Sequence, residues 1–347
     1  MKPVPFRHPA SHRCSVSCRP FWHCFWPAPP RRRHPPPRFV PAIVFDIGGK
    51  LDKGFNEAGL QGAERYKRAT GTAYREVELT LESDRQAVLR QLVEDGATLI
   101  VSMGFAQVEA VTAAAKAFPN IRFAIIDGVV EAPNVRSFQF KEQEGSFLAG
   151  VLAAMSSRTG KIGFIGGVDI PIIRTFACGY AQGARHAVPA IGLLQAMAGT
   201  TPAAWLDPAR GIELANRQMD DGADVIFAAA GATGFGVLQA TAGRHHLAIG
   251  VDSNQNHLHP GTILTSMVKR VDVAVHQALR SAADGTWAAG TTVLGLKEGG
   301  VGVVIDEYNR ALITPPLEAA MKEATDEIVA GRLEVVDYRK TGRCPVE

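Results

Sequence analysis

The chain has 347 residues, of which 46% are apolar and 20% charged, enough for about two domains with a sizeable core, so a disordered or fibrous protein is excluded. Lys and Arg number 37 against 34 Asp and Glu, but residues 1–38 hold eight basic and no acidic residues, which leaves 29 basic and 34 acidic residues in the remainder. This acidic body argues against nucleic-acid binding, because phosphate neutralisation requires clustered Lys and Arg on a folded surface.

The first 40 residues differ in composition from the rest of the chain. They are basic and proline-rich, and Arg or Pro interrupts every apolar cluster, so we predict a disordered tail over 1–40. The tail lacks the apolar stretch and the small-residue cleavage site of a secretory signal. We interpret it as a wrongly chosen start, or as a reading frame shifted over the true signal.

The five cysteines indicate neither a disulfide framework nor a metal site. Cys14, Cys18 and Cys24 lie in the tail, where the spacing is too short and too proline-rich for a zinc knuckle. Cys178 and Cys344 stand far apart in the remaining sequence, and no pairing is predicted for them. No stretch approaches the roughly 18 apolar residues of a membrane span.

From residue 41 onward, short β-branched runs alternate with amphipathic segments of helical length. The predicted strands are 42–46, 74–79, 98–102, 122–127, 135–140, 161–166, 191–197, 224–230, 247–252 and 262–267. The predicted helices lie near 56–69, 84–95, 106–117, 142–156, 174–187, 208–221, 234–243 and 271–284. The alternation predicts an α/β protein with two doubly wound, Rossmann-like lobes joined by crossovers and a ligand in the crevice between the strand ends.

The lobes are assigned from the same pattern. We place residues 41–140 together with about 268–290 in the first lobe and 141–267 in the second. Residues 291–347 form a C-terminal segment that the pattern assigns to neither lobe.

The first strand-to-helix junction, FDIGGKLDKGFNEAG, carries candidate ligand contacts. Asp46 closes the strand, and Asn56 can cap the following helix or reach a ligand. The alternative is an ordinary polar loop with a helix cap. A phosphate loop is disfavoured, because GxxxxGK[ST] is missing and Asp46 and Asp52 would repel a phosphate. Phe55 favours a binding site, since an aromatic ring on a cleft-facing loop is better buried against a planar ligand.

The second half contains a glycine-rich junction of its own, DVIFAAAGATGFGVLQA. It places Phe227 near a strand end and Gly231 just before a helix. The glycines have the spacing GxxGxG, which is a weak signal, and close packing of the helix on the sheet explains them equally well.

Acidic residues close other predicted strands. Asp127 and Asp252 each end a strand, and Lys269 follows a third. Carboxylates accept paired hydrogen bonds from hydroxyl groups, and a lysine among them compensates their charge inside a cleft. Taken alone, each aspartate is more commonly a helix cap or part of a surface ion pair. Together these residues favour a sugar-containing ligand.

Catalytic signatures are missing from the sequence. There is no GxSxG or HExxH motif, and no nucleophile with an identifiable base. His245, His246, His257 and His259 fit loop surfaces better than zinc ligands. An enzyme is therefore disfavoured, and neither a cofactor nor a metal is predicted.

Several motifs occur together in one order: FDIGGKLDKGFNEAGLQG, AIIDGVV, FKEQEGSFLAGVLAA, KIGFIGG, GADVIFAAAGATGFGVLQA, IGVDSNQ and LTSMVKRVDVAV. Through them the chain resembles the basic-membrane-protein (Bmp/PnrA-like) family of ABC-transporter substrate-binding proteins over about residues 41–340. The resemblance implies a type I periplasmic-binding fold that holds a purine nucleoside between two lobes.

The resemblance also implies roles for particular residues. Phe55 and Phe227 sandwich the base, Asp46 and Asn56 bond its edge, Asp127, Asp252 and Lys269 hold the ribose hydroxyls, and backbone groups around Gly231 assist. The segment RTFACGYAQG departs from the family, because Ala177 and Cys178 stand where members commonly carry an acidic residue.

Partners and location follow from the same resemblance. It implies a monomer that binds a purine nucleoside or a related small polar ligand, delivers it to ABC permease subunits, and binds no nucleic acid. It implies a periplasmic or membrane-associated extracytoplasmic location, although no signal peptide or lipobox cysteine is readable. Two other functions stay open: a cytoplasmic ligand-sensing regulator of the same fold, and a nucleoside-processing enzyme. The prolines of 1–40 disfavour a helix-turn-helix there.

Overall fold

The computed structural model describes residues 39–346, and the predictions made for residues 1–38 lie outside this range. Phe39 and Val40, which the predicted tail included, already contact the folded body. The Val40 N–H donates to Thr98 Oγ1 at 2.9 Å, and Phe39 packs against the core. Within the described range, no helix combines the length and the hydrophobicity needed to cross a membrane.

The described chain alternates strands and helices along most of its length. The strands are β1 (Pro41–Phe45), β2 (Arg75–Glu78), β3 (Leu99–Met103), β4 (Arg122–Ile126), β5 (Val135–Phe140), β6 (Lys161–Val168), β7 (Gly192–Gly199), β8 (Val225–Ala229), β9 (Leu247–Asp252), β10 (Ile263–Lys269), β11 (Gly290–Leu294) and β12 (Val301–Val303). The α-helices are α1 (Phe55–Thr70), α2 (Arg85–Glu94), α3 (Val108–Ala117), α4 (Glu142–Ser156), α5 (Pro171–Ala187), α6 (Pro208–Asp220), α7 (Thr233–Gly243), α8 (Val271–Asp284), α9 (Pro315–Val329) and α10 (Tyr338–Thr341). Several short 3₁₀ turns connect them.

Two six-stranded sheets define two lobes. The sheet of lobe I has the order β11-β5-β4-β3-β1-β2, and the sheet of lobe II has the order β12-β10-β9-β8-β6-β7. Every recorded pairing is parallel except that of β12 with β10. Both orders contain the doubly wound pattern in which the chain reverses direction beside its first strand. The predicted fold of two doubly wound lobes is therefore confirmed.

The chain crosses between the sheets three times, after β5, after β10 and after β11. Helix α8 follows the second crossing and packs against α1 of lobe I. The crossings lie close together, since the Lys141 N–H donates to the Leu294 carbonyl at 3.0 Å and the Arg270 N–H donates to the Gly300 carbonyl at 2.8 Å. These three segments form the hinge.

Helix α4 begins at the hinge and is buried over nearly its whole length. It crosses α5 at glycines: a Cβ on Gly150 would lie 2.1 Å from the Tyr180 carbonyl oxygen, and one on Gly183 would lie 1.9 Å from that of Phe147. Because neither site has room for a side chain, the glycines set the closeness of the two helices. Helix α9 covers another side of α4.

The C-terminal segment is tied to lobe II by a disulfide between Cys178 on α5 and Cys344, whose Cα atoms are 5.5 Å apart. The sequence indicated no disulfide framework, and this disulfide is a correction to that reading. They are 166 residues apart in sequence, and only the tertiary fold brings them together. Gln182 on the same helix adds two hydrogen bonds, donating to the Val336 carbonyl and accepting from the Val336 N–H.

A candidate ligand-binding site between the lobes

A cavity of about 160 Å³ opens between the carboxyl ends of the two sheets. This is roughly ten times the volume that one buried water needs, so a small organic molecule fits. Seven of the eight predicted contact residues line it, namely Asp46, Phe55, Asn56, Asp127, Gly231, Asp252 and Lys269. In each sheet the parallel strands end at one edge, where doubly wound proteins place their ligands, and residues from the edges of both sheets line this cavity.

Lys269 is the centre of the polar end of the cavity. It is the last residue of β10 and is 3% exposed. Its Nζ lies 2.6 Å from Asp127 Oδ2, at the end of β4 in lobe I, and 3.8 Å from Asp252 Oδ1, at the end of β9 in lobe II. The lysine therefore links carboxylates of both lobes.

Asp127 and Asp252 share an unusual backbone conformation. Their φ angles are +66° and +64°, in the left-handed region that few residues other than glycine and short polar residues adopt. The two residues occupy equivalent places after strands of the two lobes. Backbone strain of this kind concentrates at functional sites, where the surrounding structure holds it in place.

The carboxylates keep free acceptor capacity. The Oδ1 atoms of Asp127 and Asp252 are buried and have no hydrogen-bond partner among the described residues. Burial raises the pKa of Asp252 to about 6, although the Lys269 charge opposes the shift. For Lys269 burial lowers the pKa, but the attraction of Asp127, Asp252 and Glu142 outweighs it and the net pKa is raised. The ammonium is therefore charged, and the two free oxygens can accept hydrogen bonds from ligand hydroxyls.

Aromatic rings form the walls beside this polar end. The Lys269 Nζ lies 5.0 Å from the ring centroid of Phe55, the first residue of α1, and 5.5 Å from that of Phe176 on α5. Both rings line the cavity, and they come from different lobes. A planar group of a ligand could contact both.

The prediction that Phe227 forms one wall is wrong. Phe227 lies on β8, is 0% exposed and does not line the cavity. Its ring packs edge-on against Phe164 at 5.5 Å and also contacts Tyr180 and Phe176. Because successive side chains of a strand point to opposite faces, the ring faces α5 rather than the strand end, and it supports Phe176 from behind.

Phe176 was not predicted as a ligand contact, although the sequence carries a signal for it. The predicted helix began at residue 174, whereas α5 begins at Pro171, and proline favours the first turn of a helix. With that start, Ile172 and Phe176 are four residues apart on one helical face in the first two turns, beside the strand end. Both line the cavity.

Asp46 and Asn56 lie at another part of the cavity. The Asn56 amide is fixed by the Asp46 backbone: it donates to the Asp46 carbonyl at 3.1 Å and accepts from the Asp46 N–H at 3.2 Å. The Asp46 carboxylate lies 3.3 Å from Arg85 Nη2. Burial raises the pKa of Asp46, while its bond to the Ile47 N–H and the charge of Arg85 oppose the shift.

The helix cap that the sequence suggested at Asn56 is supplied by Asp52 instead. Its carboxylate accepts hydrogen bonds from the N–H groups of Gly54, Asn56 and Glu57 at 2.9–3.0 Å. These are N–H groups that a helix cannot satisfy internally. The cap fixes the start of α1 and with it the position of Phe55.

Gly231 and Trp205 close the lobe II side. Gly231 has φ +57°, and a Cβ there would lie 3.3 Å from the Trp205 carbonyl oxygen. Thr233 fastens the turn that carries Trp205, since its hydroxyl donates to the Ala204 carbonyl at 2.8 Å and accepts from the Asp207 N–H at 2.8 Å. Trp205 was not predicted, because it lies in a short 3₁₀ turn without periodicity.

The chain has the type I periplasmic-binding fold, in which two doubly wound lobes are joined by hinge segments. Its polar and aromatic cavity lies between the strand ends of the two lobes, as in a binding protein. The family model described as ABC transporter substrate-binding protein PnrA-like matches residues 39–334. The chain belongs to this family, which confirms the resemblance found in the sequence.

Individual relatives agree with this assignment. Basic membrane protein D of Borreliella burgdorferi (strain JD1) is 35% identical over 289 residues, covering 78% of this chain and 83% of the relative. The ABC transporter nucleoside-binding protein BmpA of Lactococcus lactis subsp. cremoris (strain MG1363) is 30% identical over 317 residues, covering 85% and 88%. A solved structure of ABC transporter system solute-binding proteins from Aeropyrum pernix K1 superposes with a TM-score of 0.78 at 27% identity, covering 86% of this chain and 94% of that one.

Proposed function

We propose that this chain binds a purine nucleoside between its lobes and delivers it to the permease of an ABC importer. The observation that carries the proposal is the joint placement of Lys269 and two aspartates from different lobes beside Phe55 and Phe176. A nucleoside has a hydroxyl-bearing sugar and a flat base, and this cavity offers acceptors for the first and rings for the second. The Lactococcus lactis relative, which is named as a nucleoside-binding protein, supports the same ligand class.

The parts of the ligand are assigned as follows. Asp127, Asp252 and Lys269 hold the ribose, because their free oxygens and the ammonium match adjacent hydroxyls. The base lies between Phe55 and Phe176, with its edge toward Asp46 and Asn56. The amide of Asn56 is already bonded to backbone, so the Asp46 carboxylate is the principal acceptor for a base N–H.

We propose further that the protein works outside the cytoplasm, as a non-catalytic monomer. Disulfides persist in oxidising compartments and are uncommon in the cytosol, and the Cys178–Cys344 bond is consistent with export. Membership of a substrate-binding family supports binding rather than catalysis.

Native mass spectrometry of freshly purified protein, followed by calorimetry with inosine, adenosine and guanosine, tests the ligand. We expect a co-purified mass of a purine nucleoside, or tight binding of at least one of the three. Cytidine and free ribose are the controls, and both should bind much more weakly, since each lacks part of the recognised group. Tighter binding of ribose than of every purine nucleoside would contradict the proposal.

A further inference from the structure

A fully buried carboxylate, Glu142, lies behind the polar end of the cavity. It is the first residue of α4, at the hinge, and is 0% exposed. Its Oε2 lies 3.0 Å from Arg339 Nη2, and its Oε1 lies 3.9 Å from Lys269 Nζ. In the part of the chain that the structure describes, these are the only cations within 4.0 Å of Glu142, and neither carboxylate oxygen has a hydrogen-bond partner.

Arg339 reaches Glu142 from the C-terminal segment and is held there by several contacts. It is on α10, where it pairs with Asp337 at 3.0 Å and donates to the Phe140 carbonyl at 2.9 Å. The Cys178–Cys344 disulfide follows it along the chain. The segment is thus fastened on both sides of α10, by this bond and by the Gln182–Val336 pair.

The cluster contains more negative than positive charge. Lys269 lies near three carboxylates, but it touches only Asp127 closely, at 2.6 Å, and stands 3.9 Å from Glu142. Arg339 is the closer cation to Glu142. An uncompensated charge at so buried a position is strongly unfavourable. Without Arg339, an ionised Glu142 would have Lys269 as its only compensating cation and would draw the ammonium away from Asp127.

We propose that Arg339 is a positioning residue for the ligand site: by pairing with Glu142, it leaves the Lys269 ammonium to Asp127, Asp252 and the hydroxyl groups of the ligand. This rests on the proposed function, because it takes Lys269 to be a ligand contact. The C-terminal segment, which lines no part of the cavity, thereby contributes to binding.

The protonation of Glu142 gives the proposal a pH signature. Burial and the nearby charge of Asp127 raise the pKa of Glu142 to about 7, although the positive charges of Arg339 and Lys269 oppose this shift. These charged groups, which face Glu142 within residues 39–346, come from α10, from β10 and from the end of β4. Removal of Arg339 raises the pKa of Glu142 further. At low pH the Glu142 carboxyl is then protonated and does not attract the Lys269 ammonium, and it competes for that ammonium only as the pH rises.

The test compares the full chain with Arg339→Gln, Glu142→Gln and the double variant by calorimetric titration with inosine, adenosine and guanosine from pH 5.5 to 9. For Arg339→Gln we expect affinity close to wild type at pH 5.5 and about tenfold weaker at pH 9, the equivalent of one pKa unit of altered interaction. The double variant should lose this pH dependence, because the competing charge is gone. Arg339→Lys should recover part of the affinity at pH 9.

Arg332→Gln is the matched control, because it removes an exposed arginine–carboxylate pair, with Glu327, from the same segment. It should bind like wild type at every pH. If Arg339→Gln loses equal affinity at pH 5.5 and pH 9, and Glu142→Gln does not restore it, Arg339 supports only the fold and this proposal is overturned while nucleoside binding stands. If wild type binds none of the three nucleosides, the proposed function fails, and the role of Arg339 with it.

Discussion

Phe55 and Phe227 are both phenylalanines but lie in different environments, so replacing each should affect ligand affinity and stability differently. Phe55 lines the cavity, whereas Phe227 is 0% exposed among other rings. Loss of a stacked ring removes about 1–3 kcal/mol per base, so Phe55→Ala should weaken nucleoside affinity about tenfold to a hundredfold. Calorimetry with a purine nucleoside measures this change.

Phe227→Ala is the control. It should lower the free energy of unfolding by about 3–5 kcal/mol, because it leaves a core cavity. The affinity of the folded protein should fall less than in Phe55→Ala, because Phe227 acts on the ligand only through Phe176. Chemical denaturation gives the first quantity and calorimetry the second. A larger affinity loss in Phe227→Ala than in Phe55→Ala would return Phe227 to the site.

The strand-end charges could be predicted from sequence, and the aromatic wall only in part. Asp127 follows β4 of lobe I, and Asp252 and Lys269 end β9 and β10 of lobe II. Parallel strands of each sheet end at one edge, and a ligand crevice between the strand ends of two lobes brings these edges together, so the convergence follows from the predicted fold. Phe227 lies inside a continuous apolar run, which does not report the face to which a given side chain points. Glu142 carried no signal, because a charged residue in the first turn of a helix is ordinary.

Asp252 should make nucleoside affinity depend on pH. Burial raises the pKa of Asp252 to about 6, so the carboxylate gains a proton and loses acceptor capacity as the pH falls through that value. We expect affinity to drop about threefold to tenfold between pH 8 and pH 5, because pH 5 lies about one unit below this pKa and each unit changes affinity by at most about tenfold. Calorimetry across this range is the measurement.

Asp252→Asn separates this residue from Glu142, which also titrates in the range. The variant should bind more weakly at pH 8 and show a shallower pH dependence than wild type. If the pH dependence of affinity is as steep in Asp252→Asn as in wild type, a group other than Asp252 causes it. The stability of the fold should change with pH in the opposite direction to the affinity. The pKa of Asp252 is raised on folding, so this residue contributes stability that is fully present below the unfolded pKa of 3.8. That contribution is lost as the pH rises through about 6.

At the scale of elements, the predictions cover the strands and helices up to α8 and miss those after it, including the fifteen-residue helix α9. The strands β1 to β10 and the helices α1 to α8 were all expected, with boundaries within a few residues. Strand β11 was missed, since GTTVL is short and mostly exposed at a sheet edge. Strand β12 has only three residues. The disulfide could not be predicted, because cysteine spacing does not encode a pairing across 166 residues.

The disulfide should stabilise the protein substantially. Cys344→Ser is expected to lower the free energy of unfolding by about 2–5 kcal/mol, because the bond closes a very long loop in the unfolded chain. Urea denaturation measures it, in a background where Cys14, Cys18 and Cys24 are serine so that these thiols cannot exchange.

Dithiothreitol supplies the control for the same experiment. It should lower the stability of the background protein to that of the Cys344→Ser variant and leave the variant unaffected. If the reductant changes neither protein and the variant is as stable as its background, the bond contributes nothing to stability.

At the scale of the whole molecule, direct bonds join the two lobes beside the cavity. The Ser253 hydroxyl of lobe II donates to the Gly54 carbonyl of lobe I at 2.8 Å, and Gln255 Nε2 donates to the Lys53 carbonyl at 3.1 Å. With the Lys269–Asp127 pair they hold the cleft closed. Among the described residues beside the cavity, these three bonds are few for two lobes joined by a hinge, so we expect the ligand to supply the remaining stabilisation of the closed form.

Lobe closure is tested by small-angle X-ray scattering. The radius of gyration should be larger without ligand and decrease at saturating nucleoside. Ser253→Ala should weaken affinity by about threefold to tenfold without touching the ligand, because it removes a hydrogen bond made only in the closed form. Ser83→Ala, which removes an exposed hydroxyl away from the lobe contacts, should bind like wild type. An identical radius of gyration in both states would contradict closure.

The second and third crossings of the hinge set the order in which the two sheets can be completed during synthesis. Strand β5 pairs with β11, and Arg136 of β5 is the partner of Gly290, the first residue of β11. Strand β11 is made only after all of β6 to β10. Strand β10 likewise waits for β12. While the ribosome makes lobe II, lobe I therefore keeps an open edge strand, a surface that readily pairs with other chains. Neither sheet has all its strands until β11 and β12 have been made, so we expect the growing chain to be most prone to aggregation before that point.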